Sequence, residues 1–223
     1  VSSIGESLRF METISGSQAG QMKRVDFFSS HEALLLMYES AMTRQVPRRS
    51  VWWNLGTHMP WVGVRTGEPD GGHVEYLRGI RNPIGVKVGP GMSVDQLVAL
   101  VERLDPDREA GRLTLIHRFG HAGIDAGLPE MIEAVARTGS RPLWVCDPMH
   151  GNTRTVVPDS GPLAGEIVKT RSFDDILDEL ERAFEIHTAC GSALGGVHFE
   201  LTGENVTECT GGARGLTDGD LAR

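Results

Sequence analysis

The sequence predicts an α/β fold on a parallel sheet, of the (β/α)8 TIM-barrel kind. Three observations carry that expectation. From residue 51 onward, short β-rich runs bounded by Gly and Pro alternate with longer runs of helical periodicity, the repeated strand-helix unit of a parallel sheet. No GxGxxG follows a strand, so an open nucleotide-binding sheet lacks its main signature. Polar residues also stand at the C-terminal end of strand after strand, namely Lys87, Arg118, Asp147 with His150, and Glu200. In a barrel those ends open onto one face, where active sites are assembled from successive loops.

The elements follow in order. "SSHEALLLMYESAMTR" opens with Ser29 and Glu32 at capping-box spacing, and Leu34, Met37, Tyr38 and Met42 recur at helical intervals, which predicts an amphipathic helix from residue 29. On that reading His31 and Glu32 serve capping and solvation. "RQVPRRS" then closes the segment, so residues 1–50 form an N-terminal helical segment leading into the barrel units of residues 51–223. "VWWNL", "NPIGVKVGP", "RLTLIHRFG", "RPLWVCDPMHG" and "GGVHFELTG" read as strands. "SVDQLVALVERLD", "GLPEMIEAVARTG" and "SFDDILDELERAFEIHTACG" read as helices, the first and third starting at Ser93 and Ser172 with acids in the first turn. Lys87, Arg118 and His150 recur at about the length of one strand-helix unit. Glu200 comes later because "RTVVPDSGPLAGEIVKT" inserts a long loop, a feature more often functional or mobile than structural.

Composition bounds the rest. The 223 residues are 39% hydrophobic and 23% charged, enough for a sizeable core. No run of about 18 apolar residues is present to span a bilayer, and "VSSIGESLRF" lacks the basic start and apolar core of a secretory signal, so a cytoplasmic location without membrane partners is expected. The net charge of −8 argues against nucleic-acid binding, while a few converging cations can still attract a phosphate locally. Cys146, Cys190 and Cys209 form no CxxC pair. They are expected as buried thiols rather than as a disulfide framework or zinc finger.

His150 and Glu200 offer a neutral nitrogen and a hard oxygen, a mixture suited to Mn²⁺, Co²⁺, Fe²⁺ or Zn²⁺. Lys87 lies among apolar neighbours in "IGVKVGP", so its ammonium must reach the open end of the barrel or find a partner, a bound anion being one. Arg118 in "HRFG" and Arg65 in "GVRTG" carry the planar fork that matches carboxylate or phosphate. Each residue alone reads as structural; three cations with two metal-type ligands read as an anion-plus-metal enzyme site.

"NPIGVKVGP", "CDPMHGNT", "GGVHFELTGENVTECTGG" and "SHEALLLMYE" resemble the class II (plant-type) 3-deoxy-D-arabino-heptulosonate 7-phosphate (DAHP) synthases, from about residue 29 to the end of the chain. The resemblance implies a (β/α)8 barrel that condenses phosphoenolpyruvate with erythrose 4-phosphate and releases phosphate, at the entry to chorismate and the aromatic amino acids. Carried across, it makes His150 and Glu200 metal ligands, with Mn²⁺ favoured, and makes Lys87, Arg118 and Arg65 the cations that hold phosphoenolpyruvate. Lys87, Arg118 and His150 are then the catalytic residues, Asp147 fixes the His150 turn, and Lys169 of "VKTR" falls where the family has a lysine near the site.

The chain also departs from the family pattern. The family's metal set includes a further cysteine and a further aspartate that these 223 residues do not contain, and residue 1 is Val. The expectation is therefore an incomplete barrel lacking its first strands, which self-associates as a homo-oligomer when full length. Val64 stands before Arg65, where aromatic-pathway members carry a glutamate; members serving secondary metabolism, such as the phenazine-type enzymes, resemble "THMPWVGVRT" more closely. Two alternatives stay open: a non-catalytic truncated copy, and another phosphosugar aldolase or lyase in which Lys87 acts as a Schiff-base nucleophile.

Overall fold

The computed structural model describes residues 26–222. In chain order its elements are β1 (Ser30–Glu32), α1 (Leu36–Met42), β2 (Thr43–Gln45), β3 (Trp52–Asn54), β4 (Met59–Val62), α2 (Gly72–Gly79), β5 (Ile84–Val88), α3 (Val94–Leu104), β6 (Leu113–His117), α4 (Ile124–Thr138), β7 (Leu143–Cys146), β8 (Arg154–Val156), β9 (Val168–Ser172), α5 (Phe173–Ala189), β10 (Leu194–Val197) and β11 (Cys209–Thr210). Six strands form the central sheet in the order β1-β4-β5-β6-β7-β10. Every neighbouring pair in it is parallel. Among the described residues the sheet does not close on itself: β1 and β10 are its outer strands, as an incomplete barrel requires.

Burial explains why the middle strands pair this way. All five residues of β5 and all five of β6 are buried, which needs cover on both faces, the usual condition of a parallel sheet. The helices supply that cover through one apolar stripe each. Leu97, Leu100, Val101 and Leu104 of α3 are buried, as are Ile124, Leu128, Met131, Ile132 and Val135 of α4. The Ser93 and Ser172 side chains accept hydrogen bonds from the Gln96 and Asp175 amides, satisfying otherwise orphaned N–H groups at the two helix starts. A left-handed Gly139, φ 77°, closes α4.

Several expected elements take another form. Ser30–Glu32 is a strand in register with Met59–Trp61, not the first turn of a helix. The helix begins at Leu36, without a side-chain cap. The edge register wins because the Ser30 hydroxyl donates to the Met59 carbonyl at 2.6 Å and the Ala33 amide to the Trp61 carbonyl at 2.8 Å. His31, expected to be solvated, instead bonds the buried Glu39 at 2.9 Å. The central sheet thus reaches back across the expected boundary at residue 50, and residues 1–25 of that segment lie outside the described residues. Trp52–Asn54 of "VWWNL" pairs antiparallel with Thr43–Gln45, outside the central sheet. The strand beside β1 is Met59–Val62, in a stretch not expected to be β. The long insertion is flanked by β8 and β9, an antiparallel pair that β11 extends into a three-stranded sheet. Of the three cysteines, Cys146 is buried and Cys190 and Cys209 are half-buried, all as free thiols. No described helix is long and apolar enough to cross a membrane.

Candidate active site

Parallel pairing brings the ends of β5, β6, β7 and β10 to one place. The Arg118 amide donates to the Val88 carbonyl at 2.8 Å, the Asp147 amide to His117 at 2.8 Å, and the His198 amide to Cys146 at 2.7 Å. Each strand therefore hands its next residue to the end of its neighbour. Lys87, Arg118, Asp147, His150 and Glu200 are gathered by this ladder, within a few residues of the strand ends.

Asp147 is the hub. It is fully buried, and its carboxylate takes the Lys87 ammonium in a direct ion pair. Its Oδ1 accepts the Met149 and His150 amides at 3.1 Å each, and the His150 ring Nδ1 lies 3.0 and 2.8 Å from Oδ1 and Oδ2. Burial alone would raise the Asp147 carboxyl, but the His150 hydrogen bond and the Lys87 charge outweigh it and hold the group well below the usual carboxylate range. Lys87 is only 4% exposed. Burial pushes its ammonium below the ordinary value, Asp147 pulls it back up, and the nearby Arg118 charge pushes it down again. Its partner is thus the Asp147 carboxylate, one of the two outcomes expected of a lysine among apolar neighbours, which either pairs or reaches the open end. The Trp61 ring also lies under the ammonium at 5.1 Å.

Because Asp147 occupies Nδ1, His150 turns Nε2 outward, 3.6 Å from Glu200 Oε2. Holding one ring nitrogen with a carboxylate so that the other is presented is the standard support of a metal-bound histidine. The spacing of this nitrogen and oxygen fits two donors sharing one divalent cation with bonds of about 2.0 to 2.2 Å. The residues present therefore fit the metal that the sequence implies. Glu200 is steered by Arg171, whose guanidinium bonds its Oε2 at 2.8 Å and the Met149 carbonyl at 3.0 Å. The Arg118 fork reaches the His150 carbonyl at 2.5 Å, while its Nε is buried with no partner among the described residues.

Other expected residues are placed less tightly. Arg65 follows β4 on a 3-10 turn, Val64–Thr66, at the same end of the sheet, and its side chain is exposed. Lys169 shares a face of β9 with Arg171 by the two-residue period of a strand. It is exposed, and Arg171 is the residue of that strand that reaches Glu200. Sequence reasoning did not single out Arg171, Trp61, His198 or Glu179. The His198 ring stands 6.3 Å from His150 and 6.1 Å from Trp61, and burial with the Lys87 charge lowers its basicity. Glu179, fully buried on α5, braces the floor. Its Oε1 accepts the Phe119 and Gly120 amides at 2.9 Å, and its Oε2 accepts the Asn152 amide group at 2.8 Å. Burial raises its carboxyl to about 7 against the pull of those hydrogen bonds. One faint signal was readable for Glu179, an acid on the apolar stripe of its helix.

The model of the class-II DAHP synthetase family matches residues 1–223. A phospho-2-dehydro-3-deoxyheptonate aldolase of Streptomyces coelicolor is 46% identical over 218 residues, covering 98% of this chain and 46% of the relative. A Neurospora crassa protein of the same name is 43% identical over 241 residues, covering 100% and 48%. The phospho-2-dehydro-3-deoxyheptonate aldolase AroG of Mycolicibacterium smegmatis is 44% identical over 224 residues, covering 98% and 46%. The chain thus spans about half the length of the curated relatives it matches.

Proposed function

The chain belongs to the class-II DAHP synthetase family, and from that premise we propose that it carries the phosphoenolpyruvate and metal half of a synthase joining phosphoenolpyruvate to erythrose 4-phosphate. The carrying observation is the Lys87–Asp147–His150 chain, which presents His150 Nε2 to Glu200 beside the Arg118 fork. It supports a site for an anion next to a cation.

In this reading Lys87, Arg118 and Arg65 hold the phosphate and carboxylate of phosphoenolpyruvate, with the Arg forks matching planar oxyanions. Asp147 favours the charged form of Lys87 against the opposing effect of burial and keeps His150 in one orientation. His150 and Glu200 would hold a divalent cation, Mn²⁺ by preference, which supplies Lewis-acid polarisation of the aldehyde of erythrose 4-phosphate. The nucleophilic CH2 carbon of phosphoenolpyruvate forms the new carbon–carbon bond to that aldehyde. Water adds to the adjacent carbon, and phosphate departs with the cleaved carbon–oxygen bond. Lys87 and Arg118 offset the charge that builds on the phosphate and carboxylate. A place in secondary metabolism is proposed from Val64, a half-buried apolar side chain beside Arg65. Self-association is proposed from the outer strands, which among the described residues pair on one side only and near which Phe28, Leu35, Phe199 and Leu201 are exposed.

The test is phosphate release from phosphoenolpyruvate on adding erythrose 4-phosphate and Mn²⁺, run beside the Streptomyces coelicolor relative. The expected result is release that needs both substrates, stops with a chelator and is lost in Glu200→Gln. Turnover by the relative, with neither turnover nor manganese-dependent phosphoenolpyruvate binding by this chain, would replace the reading with a non-catalytic copy.

A further inference from the structure

Below the floor of this site, one nitrogen of His117, the thiol of Cys146 and one carboxylate oxygen of Glu179 lie within 4.8 Å of one another. His117 and Cys146 face each other on adjacent parallel strands, and Glu179 comes down from α5. All three side chains are fully buried. Among the described residues neither ring nitrogen of His117 has a hydrogen-bond partner, an arrangement that buried polar groups rarely tolerate without a ligand. Glu179 accepts three hydrogen bonds, which leaves about one of its roughly four lone-pair positions free.

We infer that His117, Cys146 and Glu179 form a second, structural metal site, selective for zinc-like ions and separate from the pair His150 and Glu200. A thiolate, an imidazole and a carboxylate together suit Zn²⁺ and its spectroscopic substitute Co²⁺ better than Mg²⁺, Ca²⁺ or Mn²⁺. Burial sets the protonation of the ligand groups. Burial, with the neighbouring His187 charge, drives His117 down to about 3, so its ring is neutral and able to ligate. Burial likewise pushes the Cys146 thiol up, so binding releases a proton. Around a tetrahedral ion with bonds of about 2.0 to 2.3 Å the ligand atoms stand roughly 3.3 to 3.8 Å apart. Rotation of the Cys146 and Glu179 side chains would close the remaining gap of about 1 Å. His187 walls the pocket, its ring 5.5 Å from that of His117 and 5.6 Å from Trp144.

The site would tie β6, β7 and α5 together one residue below the chemistry. His117 precedes Arg118, Cys146 precedes Asp147, and Glu179 already holds the amides of Phe119 and Gly120. Because the ligands are sealed from solvent, the metal enters as the chain folds and then resists chelators that strip the outer pair. This inference does not depend on the proposed reaction.

The test is expression in cobalt-supplemented medium of the chain carrying His150→Ala and Glu200→Gln, which removes the outer donors. About one cobalt per chain is expected, with the near-ultraviolet band of thiolate-to-cobalt charge transfer. Adding Cys146→Ser abolishes the band, and adding Cys209→Ser leaves it. A metal-free protein, or a band that survives Cys146→Ser, overturns the inference. Should those variants fail to fold, zinc K-edge absorption on the unaltered chain decides, because His150 and Glu200 offer no sulfur. One sulfur at about 2.3 Å is then expected, and its absence from zinc-loaded protein is equally fatal.

Discussion

The Nδ1 of His150 lies 2.8 Å from Asp147 Oδ2, and that carboxylate is also the partner of the Lys87 ammonium. One buried acid therefore sets the direction of the metal-type ligand and neutralises the substrate-type cation. Asp147→Asn should break both links. Manganese affinity, read by isothermal titration, is expected to fall about 10- to 100-fold through the lost support of His150. Stability in urea is expected to fall by about 3 kcal/mol, because an unpaired buried charge is costlier than the pair is valuable. Adding Lys87→Met to Asp147→Asn should recover much of that stability but none of the metal affinity. Equal losses in the single and double variants would show that Lys87 and Asp147 are not coupled.

Arg171 joins Glu200 to the Met149 carbonyl with two nitrogens of one guanidinium. Arg171→Lys keeps the charge but cannot span both acceptors as a rigid fork. It should weaken manganese binding about tenfold, as loss of a residue supporting a ligand does, with little loss of stability because the Glu200 end is half exposed. Full retention of affinity in Arg171→Lys would reduce the contact to simple charge pairing.

The contrast between Glu200 and Arg171 shows what was readable in the sequence. Regular strand-helix units predicted the central strands, the capped helices and the alignment of Lys87, Arg118 and His150, because each property is local. Whatever rests on long-range pairing was hidden. Ser30–Glu32 carries a good helix-start pattern, yet strand Met59–Val62, about thirty residues on, claims it as an edge. Arg171 looked no different from Lys169 two positions earlier; only the hairpin that flanks the insertion directs Arg171 to Glu200. Lys87 was legible as a cation in need of a partner, and its partner Asp147 was legible as a turn residue. Their contact became visible once the crossover between β5 and β7 was fixed.

Gly151 and Gly120 bring the β6 and β7 loops into backbone contact. Gly120 has φ 80°, and a Cβ on it would stand 2.7 Å from the Gly151 carbonyl oxygen. A Cβ on Gly151 would overlap the Gly120 amide nitrogen, so backbone rather than a flexible side chain must move. Gly151→Ala is expected to cost about 2 kcal/mol in urea unfolding and to loosen the Arg118 contact to the His150 carbonyl, lowering turnover with it. Gly203→Ala, where nothing lies within 4 Å, should be close to neutral. Similar stability of the two variants would remove the argument for close approach.

His187 sets an acid limit on stability. It is 1% exposed, its Nδ1 bonds the Ser192 hydroxyl at 3.1 Å, and burial lowers it from 6.5 to about 4. Between those values the unfolded chain binds a proton there that the folded chain does not. Its contribution is therefore complete above pH 6.5 and is lost as pH falls, by about 3 kcal/mol at pH 4. His117, lowered to about 3, acts in the same direction. Glu179, raised to about 7, acts in the opposite one, so the two histidines together leave a net loss on acidification. His187→Gln keeps a hydrogen-bonding partner for Ser192 and removes the titration. In metal-free protein, the stability lost between pH 7 and pH 4 should be smaller by about 3 kcal/mol in this variant than in the parent. Parallel stability curves for the two chains would mean that His187 is protonated in the folded protein.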